Sequence, residues 1–204
     1  QNYLIPLHKF LETANIDIQK SKDIELILLQ LLKINKGDLG ASCSLEIGHN
    51  LYLIYRVDPN KHFWNLISDV TNNPTTANIY AIKYVISKLG MYNKSALNQV
   101  AQLLISLKKQ KLHYPSLLAV KSLFKTCPHS FPKLVTSAFN FAKANVLNRS
   151  ERIQIAAIHL LQVLISEPEI NIKKVLIIAQ QIFTECHSKF VTTSTANLVA
   201  QCAV

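Results

Sequence analysis

Apolar residues recur along most of this chain at spacings of three and four, the period of a helix with one buried face. Leu4, Leu7, His8 and Leu11 open the pattern and predict a helix from about Tyr3 to Ala14. Ser21 reads as the cap of a second helix, whose apolar stripe is Ile24, Ile27, Leu28, Leu31 and Leu32. Gly37 ends it, and Asp38 caps a third helix running to about Val57. After Asp58-Pro59 a short helix carries Phe63, Trp64, Ile67 and Val70, and Asn72-Asn73-Pro74 breaks the chain.

The second half repeats the grammar. Thr76 to Leu89 is helical and stops at Gly90, and Asn93 or Ser95 opens a helix that closes in Lys108-Lys109. Tyr114 precedes Pro115 at a first helical position, and that helix runs to Cys127-Pro128. Ser130-Phe131-Pro132 starts the next, which reaches about Ala144. Ser150-Glu151 opens a strongly apolar helix through Ile165, punctuated by Pro168. Asn171 caps a helix through Cys186, and a last one begins near Thr193.

Taken in pairs, these helices form units starting near Tyr3, Asp38, Thr76, Tyr114, Ser150 and Val191, a repeat of roughly 35 to 41 residues. The expected fold is therefore all-α: an α-solenoid of HEAT- or armadillo-like helical hairpins, about five pairs plus a truncated sixth. The whole chain, 1–204, reads as a single such segment. Helices apolar on more than one face, such as Ile153 to Ile165, suit the inner layer of a stacked array. The truncated last unit and an opening Gln1 make a segment of a longer protein the expectation.

Composition sharpens this. With 49% apolar residues, 4 Gly and 7 Pro in 204, disorder and a turn-rich all-β fold are excluded. No apolar run reaches the roughly 18 to 20 residues of a spanning helix, so a soluble, cytoplasmic protein is expected. Cys43, Cys127, Cys186 and Cys202 have no short paired spacing, and each reads as a small core residue in a reducing compartment.

The net charge of +10 is unevenly placed. No acidic residue lies between Asp69 and Glu151, a stretch holding Lys83, Lys88, Lys94, Lys108, Lys109, Lys111, Lys121, Lys125, Lys133, Lys143 and Arg149. Such a stretch is either a surface for an acidic peptide, an anionic membrane or a phosphate backbone, or a solvated basic face. Lys108, Lys109, Lys111, Lys121 and Lys125 are the partner-binding candidates, and Lys108-Lys109-x-Lys111 is read at a helix C-terminus, where the dipole favours cations. Trp64 joins them if exposed. With His62, Phe63, Tyr52, Tyr55, Tyr80, Tyr84 and Tyr92, it belongs to an aromatic group that forms either a docking groove or inter-repeat core.

Catalytic chemistry finds little support. Gly37, Gly40, Gly48 and Gly90 make neither a phosphate loop nor a dinucleotide fingerprint. The seven histidines never pair at the i, i+4 spacing that puts two imidazoles on one helix face. Cys127-Pro128-His129 and Cys186-His187 lack the second half of a zinc site, Cys186 being read as facing the core. Glu167 and Glu169 flank Pro168 and read as solvated turn residues. The expectation is no enzyme, no metal and no cofactor.

Residues 4–58 (LIPLHKFLETANIDIQKSKDIELILLQLLKINKGDLGASCSLEIGHNLYLIYRVD) resemble the amino-terminal part of the HEAT-repeat-containing protein 5 family. The run is a helix with Phe10-Leu11 at its centre, a polar linker, a Leu-rich helix and a third helix ending near Asp58. Residues 75–104 and NRSERIQIAAIHLLQVL at 148–164 resemble later helices of the same region. The fungal member of this family is the large accessory protein of clathrin adaptor complex one. The resemblance implies a non-catalytic scaffold in vesicle traffic at the trans-Golgi network, endosomes or clathrin-coated vesicles. Its implied partners are that adaptor complex and a smaller co-accessory subunit. The alternative is a scaffold of nuclear transport or nucleic-acid-associated complexes that uses the basic 70–150 stretch.

Overall fold

Among the described residues, the computed structural model has eleven α-helices, one 3-10 turn and no strand. It describes residues 4–13, 18–34, 40–57, 59–90, 92 and 94–203. Gly37, Asp38, Asp58 and Asn93, expected to punctuate helices, lie outside them, as does the side chain of His62. In order, the elements are α1 (Leu4–Thr13), α2 (Ile18–Ile34), α3 (Ala41–Tyr55), α4 (Pro59–Asn72), α5 (Thr76–Leu89) and α6 (Lys94–Ser106). The 3-10 turn Gln110–Leu112 leads into α7 (His113–Thr126), α8 (Pro132–Asn145), α9 (Glu151–Leu164), α10 (Ile172–Glu185) and α11 (Lys189–Cys202).

The chain divides into two compact units, residues 1–100 and 101–204, with the boundary inside α6. In the first unit α1 stacks on α3 and α3 on α5, while α2 and α4 pack against α3 and α5. In the second, α7, α9 and α11 stack in turn, with α8 against α9 and α10 against α11. Odd helices thus form a continuous layer within each unit, an order that fits an α-solenoid.

Local chemistry explains the well-anticipated boundaries. Thr75 and Asn78 form a reciprocal capping box at the start of α5: the Thr75 hydroxyl accepts from the Asn78 N–H and Asn78 Oδ1 from the Thr75 N–H. The same Asn78 side chain donates to the Asn73 carbonyl at 2.9 Å, closing the turn from α4. Asn171 caps α10 by accepting from the Lys173 N–H, and Pro132 occupies the first turn of α8.

Several boundaries depart from expectation, and α3 starts at Ala41 with Gly40, not Asp38, as its N-cap. α2 starts at Ile18, so Ser21 lies inside it rather than capping it. The 3-10 turn extends the entry to α7, making Pro115 the third helical residue, still in the first turn where a missing N–H is harmless. α11 starts at Lys189 because the Ser188 hydroxyl caps it, so Thr193 is interior.

The units are held differently. At the contact of α3 with α5, Gly48 lets the backbones meet: a Cβ there would lie 2.7 Å from the Ala81 carbonyl oxygen. Nearby, the buried Glu25 of α2 accepts from the Tyr55 hydroxyl of α3 at 2.9 Å and from Asn65 Nδ2 of α4 at 3.1 Å. This bond joins three helices through one carboxyl group. The second unit is packed chiefly with apolar side chains, among them Leu117, Val120, Phe124, Leu134, Val135, Ile158, Leu161 and Leu198. Phe124 meets Phe131 edge-on at 6.4 Å.

Candidate functional site

The lysines singled out by sequence do not converge on a point. Lys108 and Lys109 are exposed in the stretch after α6, Lys111 is exposed in the 3-10 turn, and Lys125 is exposed in the last turn of α7. With a rise of 1.5 Å per residue, Lys111 and Lys125 are separated by about 20 Å along that helix. The reading of Lys108-Lys109-x-Lys111 as a helix C-terminus needs correction. α6 ends at Ser106 with no basic residue in its last turn, and Lys111 instead precedes the N-terminus of α7. There the helix dipole opposes a cation, so the dipole does not account for Lys111.

This linker is fastened by His113, whose ring nitrogens meet the Leu107 carbonyl and Asn145 Oδ1, both at 2.9 Å. Both contacts are to oxygen acceptors, and together they tie the linker to α8. Lys121 is half-buried beside His159. Burial first, and then the Lys121 charge, hold the His159 imidazole below its ordinary 6.5. Two helix turns toward the start of α9, the Arg152 guanidinium lies over the Tyr114 ring at 4.8 Å.

Trp64 is 46% exposed, whereas Phe63, Ile67 and Val70 on the same helix are buried. The aromatic group divides along the same line. Tyr55 and Tyr80 are core, Tyr52 and Tyr84 half-buried, and Tyr92 exposed. Burial, and then the Glu25 carboxyl, push the Tyr55 hydroxyl well above its ordinary range.

Each unit has a groove between two even-numbered helices. In the first unit, a groove of about 820 Å³ between α2 and α4 is lined by Lys22, Asp23, Glu25, Lys33, Asn65 and Asp69. Leu26 and Leu29 also line it, and its charges are internally matched, with Lys33 Nζ 3.1 Å from Asp69 Oδ1. In the second, a groove of about 370 Å³ between α8 and α10 is lined by Phe139, Ile177 and Ile178 with Lys143 and Lys174. Glu169 is its one acidic residue. Ile177 is 65% exposed, and Leu176 and Phe183 on the same helix are also exposed. Sequence reasoning missed this groove. Lys143 belonged to the acid-free stretch, but nothing local to the chain reveals that α8 and α10 lie side by side.

Two polar clusters also went unread. Glu167 is buried rather than solvated, because the turn after α9 turns it onto the turn after α7. Its carboxylate accepts from the His129 backbone N–H at 3.0 Å and lies 3.3 Å from His129 Nδ1. His129 adopts the left-handed conformation, φ 57°, that aims its N–H at the carboxylate. Cys186 is half-buried, and Gln154 Nε2 donates to its sulfur at 3.4 Å, so it does not simply face the core. The other cluster lies on the odd layer of the first unit. His8 of α1 and His49 of α3 have ring centroids 3.9 Å apart, and the Tyr84 ring of α5 is 5.0 Å from His49. Glu12 lies 3.1 Å from His8 Nε2. Burial, and then His8, hold His49 below its usual 6.5.

In comparisons with known proteins, no family model, no curated protein and no solved structure matches this chain. Among the described residues, no helix is long and apolar enough to cross a membrane.

Proposed function

We propose that this protein is a non-catalytic helical scaffold of HEAT-like repeats that holds a partner segment in the groove between α8 and α10. The observation that carries the reading is the pairing of unpartnered apolar side chains, Ile177 foremost, with Lys143 and Lys174. Apolar anchors flanked by cations fit an amphipathic segment with acidic flanks: burial supplies affinity and charge supplies orientation and on-rate. The wider basic excess of residues 101–204 steers the same ligand. The resemblance at 4–58, 75–104 and 148–164 supports a place in clathrin-adaptor traffic, at the trans-Golgi network or endosomes. The partners are then clathrin adaptor complex one and a smaller co-accessory subunit.

The test is direct binding of the purified protein to purified clathrin adaptor complex one and its accessory subunits at moderate salt. Ile177→Asp is expected to weaken binding by more than about tenfold, since loss of a central anchor costs about 2 kcal/mol or more. Lys143→Glu with Lys174→Glu should slow association and flatten the salt dependence. No binding, or binding indifferent to both variants, rejects the assignment.

A second reading rests on Lys108, Lys109 and Lys111, exposed ahead of the α7 N-terminus. Cations beside a helix N-terminus favour phosphate, so this linker fits a nucleic-acid backbone in a nuclear-transport or ribonucleoprotein scaffold. Reversal of the three lysines to Glu should then lower the salt slope of RNA binding by about 2 to 3. Binding that does not change with salt removes this reading.

A further inference from the structure

His8, Glu12 and His49 bring one ligand atom each to within 4.8 Å of one another, although they come from two helices. His8 and Glu12 are one turn apart on α1, and His49 faces them from α3. We propose that these three side chains bind a divalent transition-metal ion, of which Zn²⁺ is the best-fitting, and that the ion clasps α1 to α3.

Several observations converge on this site. Two imidazoles and one carboxylate are a borderline donor set suited to Zn²⁺ and its neighbours rather than to Ca²⁺ or Mg²⁺. Metal–donor bonds of about 2.0 to 2.2 Å in a tetrahedron place donors about 3.3 Å apart. The donors lie within 4.8 Å of one another, and the half-exposed Glu12 side chain is free to close the remaining gap. Nε2 is the His8 nitrogen that faces Glu12, at 3.1 Å, so an ion held by both replaces that single contact with two metal bonds.

The fold gives the ion a structural task. Only Leu4 and Leu11 of α1 are buried, and the helix packs chiefly on α3. So short an apolar seam anchors a ten-residue helix weakly, and a bond through metal adds to it directly. Three protein donors leave a fourth position for water. The Tyr84 ring closes the α5 side of His49.

The experiment uses the full chain, stripped with chelator and titrated with Zn²⁺, then with Co²⁺ as a spectroscopic probe. Uptake of one equivalent, visible d–d absorption with Co²⁺, shifted His8 and His49 ring resonances and a Zn²⁺-dependent rise in Tm are expected. His49→Gln should weaken Zn²⁺ binding by more than about 100-fold, beyond what loss of an outer partner causes. Because His49 packs against Tyr84, Glu12→Gln provides the variant that preserves packing, with an expected loss of more than about tenfold. Cys186→Ala with His187→Gln should leave binding unchanged and so excludes the other Cys/His pair as its source. No equivalent bound at micromolar Zn²⁺, or affinity retained in both His49→Gln and Glu12→Gln, overturns the proposal.

Discussion

The two units use the same helix stacking over apolar cores but place their buried carboxyls differently, Glu25 between helices in the first and Glu167 between turns in the second. In residues 1–100, the α3–α5 contact depends on Gly48, and α2, α3 and α4 meet at Glu25, Tyr55 and Asn65. In residues 101–204, apolar stripes fill the core, and polar ties such as His113–Asn145 and His129–Glu167 secure the linkers around it. Charge follows the same division: the first unit has 10 basic and 8 acidic residues, the second 12 and 4. A core carboxyl demands partners in fixed places, so the first unit is specific in its contacts. An apolar core leaves surface chemistry free, and the second unit carries both the basic excess and the exposed apolar groove.

The largest effect should come from truncating the second core. Phe124→Ala, at a fully buried site facing Phe131, is expected to cost about 3 to 5 kcal/mol in a urea titration. Hydrogen exchange should lose protection first in α7, α8 and α9. If protection falls equally in α3 and α5, the two units do not differ in the way described.

Gly48→Ala probes the other unit. The new methyl meets backbone, which cannot rotate away, so a loss of about 1 to 3 kcal/mol is expected where an exposed helical Gly→Ala would stabilise. A gain in stability would show that α3 and α5 separate without cost.

Tyr55→Phe is next. Removing the hydroxyl leaves the Glu25 carboxyl with one fewer donor in a buried site, at about 1 to 3 kcal/mol. Adding Glu25→Met should recover part of that loss, because the pair then disappears together. Strict additivity of the two changes would argue against a shared network.

The smallest effect concerns pH. His159 titrates below its unfolded value of 6.5, so the unfolded chain takes up the proton first as pH falls. The stability tied to His159 is fully present above 6.5 and is lost as pH falls through its lower folded value. Lys121→Met should raise the His159 value, seen in an NMR titration, and shrink that loss. An unmoved His159 value would show that burial alone sets it.

The sequence by itself determined where several of the helices begin and end. Thr75, Gly90, Pro132 and Asn171 act within a turn of their own position, so caps and breakers are legible without the fold. It also determined the concentration of positive charge. Which face of a helix is buried was decided only by the neighbours. In α2, Leu28, Leu29 and Leu32 are buried while the equally apolar Leu26 and Ile27 are more than half exposed. Periodicity offers several stripes on so apolar a helix, and the angle at which partners pack selects one.

The same holds for chemistry. Glu167 reads as a solvated turn residue until the His129 N–H from another turn meets it, and nothing local marks Glu25 as the buried partner of Tyr55. His8 and Glu12 are close in sequence, but His49 is 41 residues from His8, and stacking of α1 on α3 brings them together. Helix signals are carried by neighbours in the chain. Sites built across helices are carried by distances that no local pattern contains.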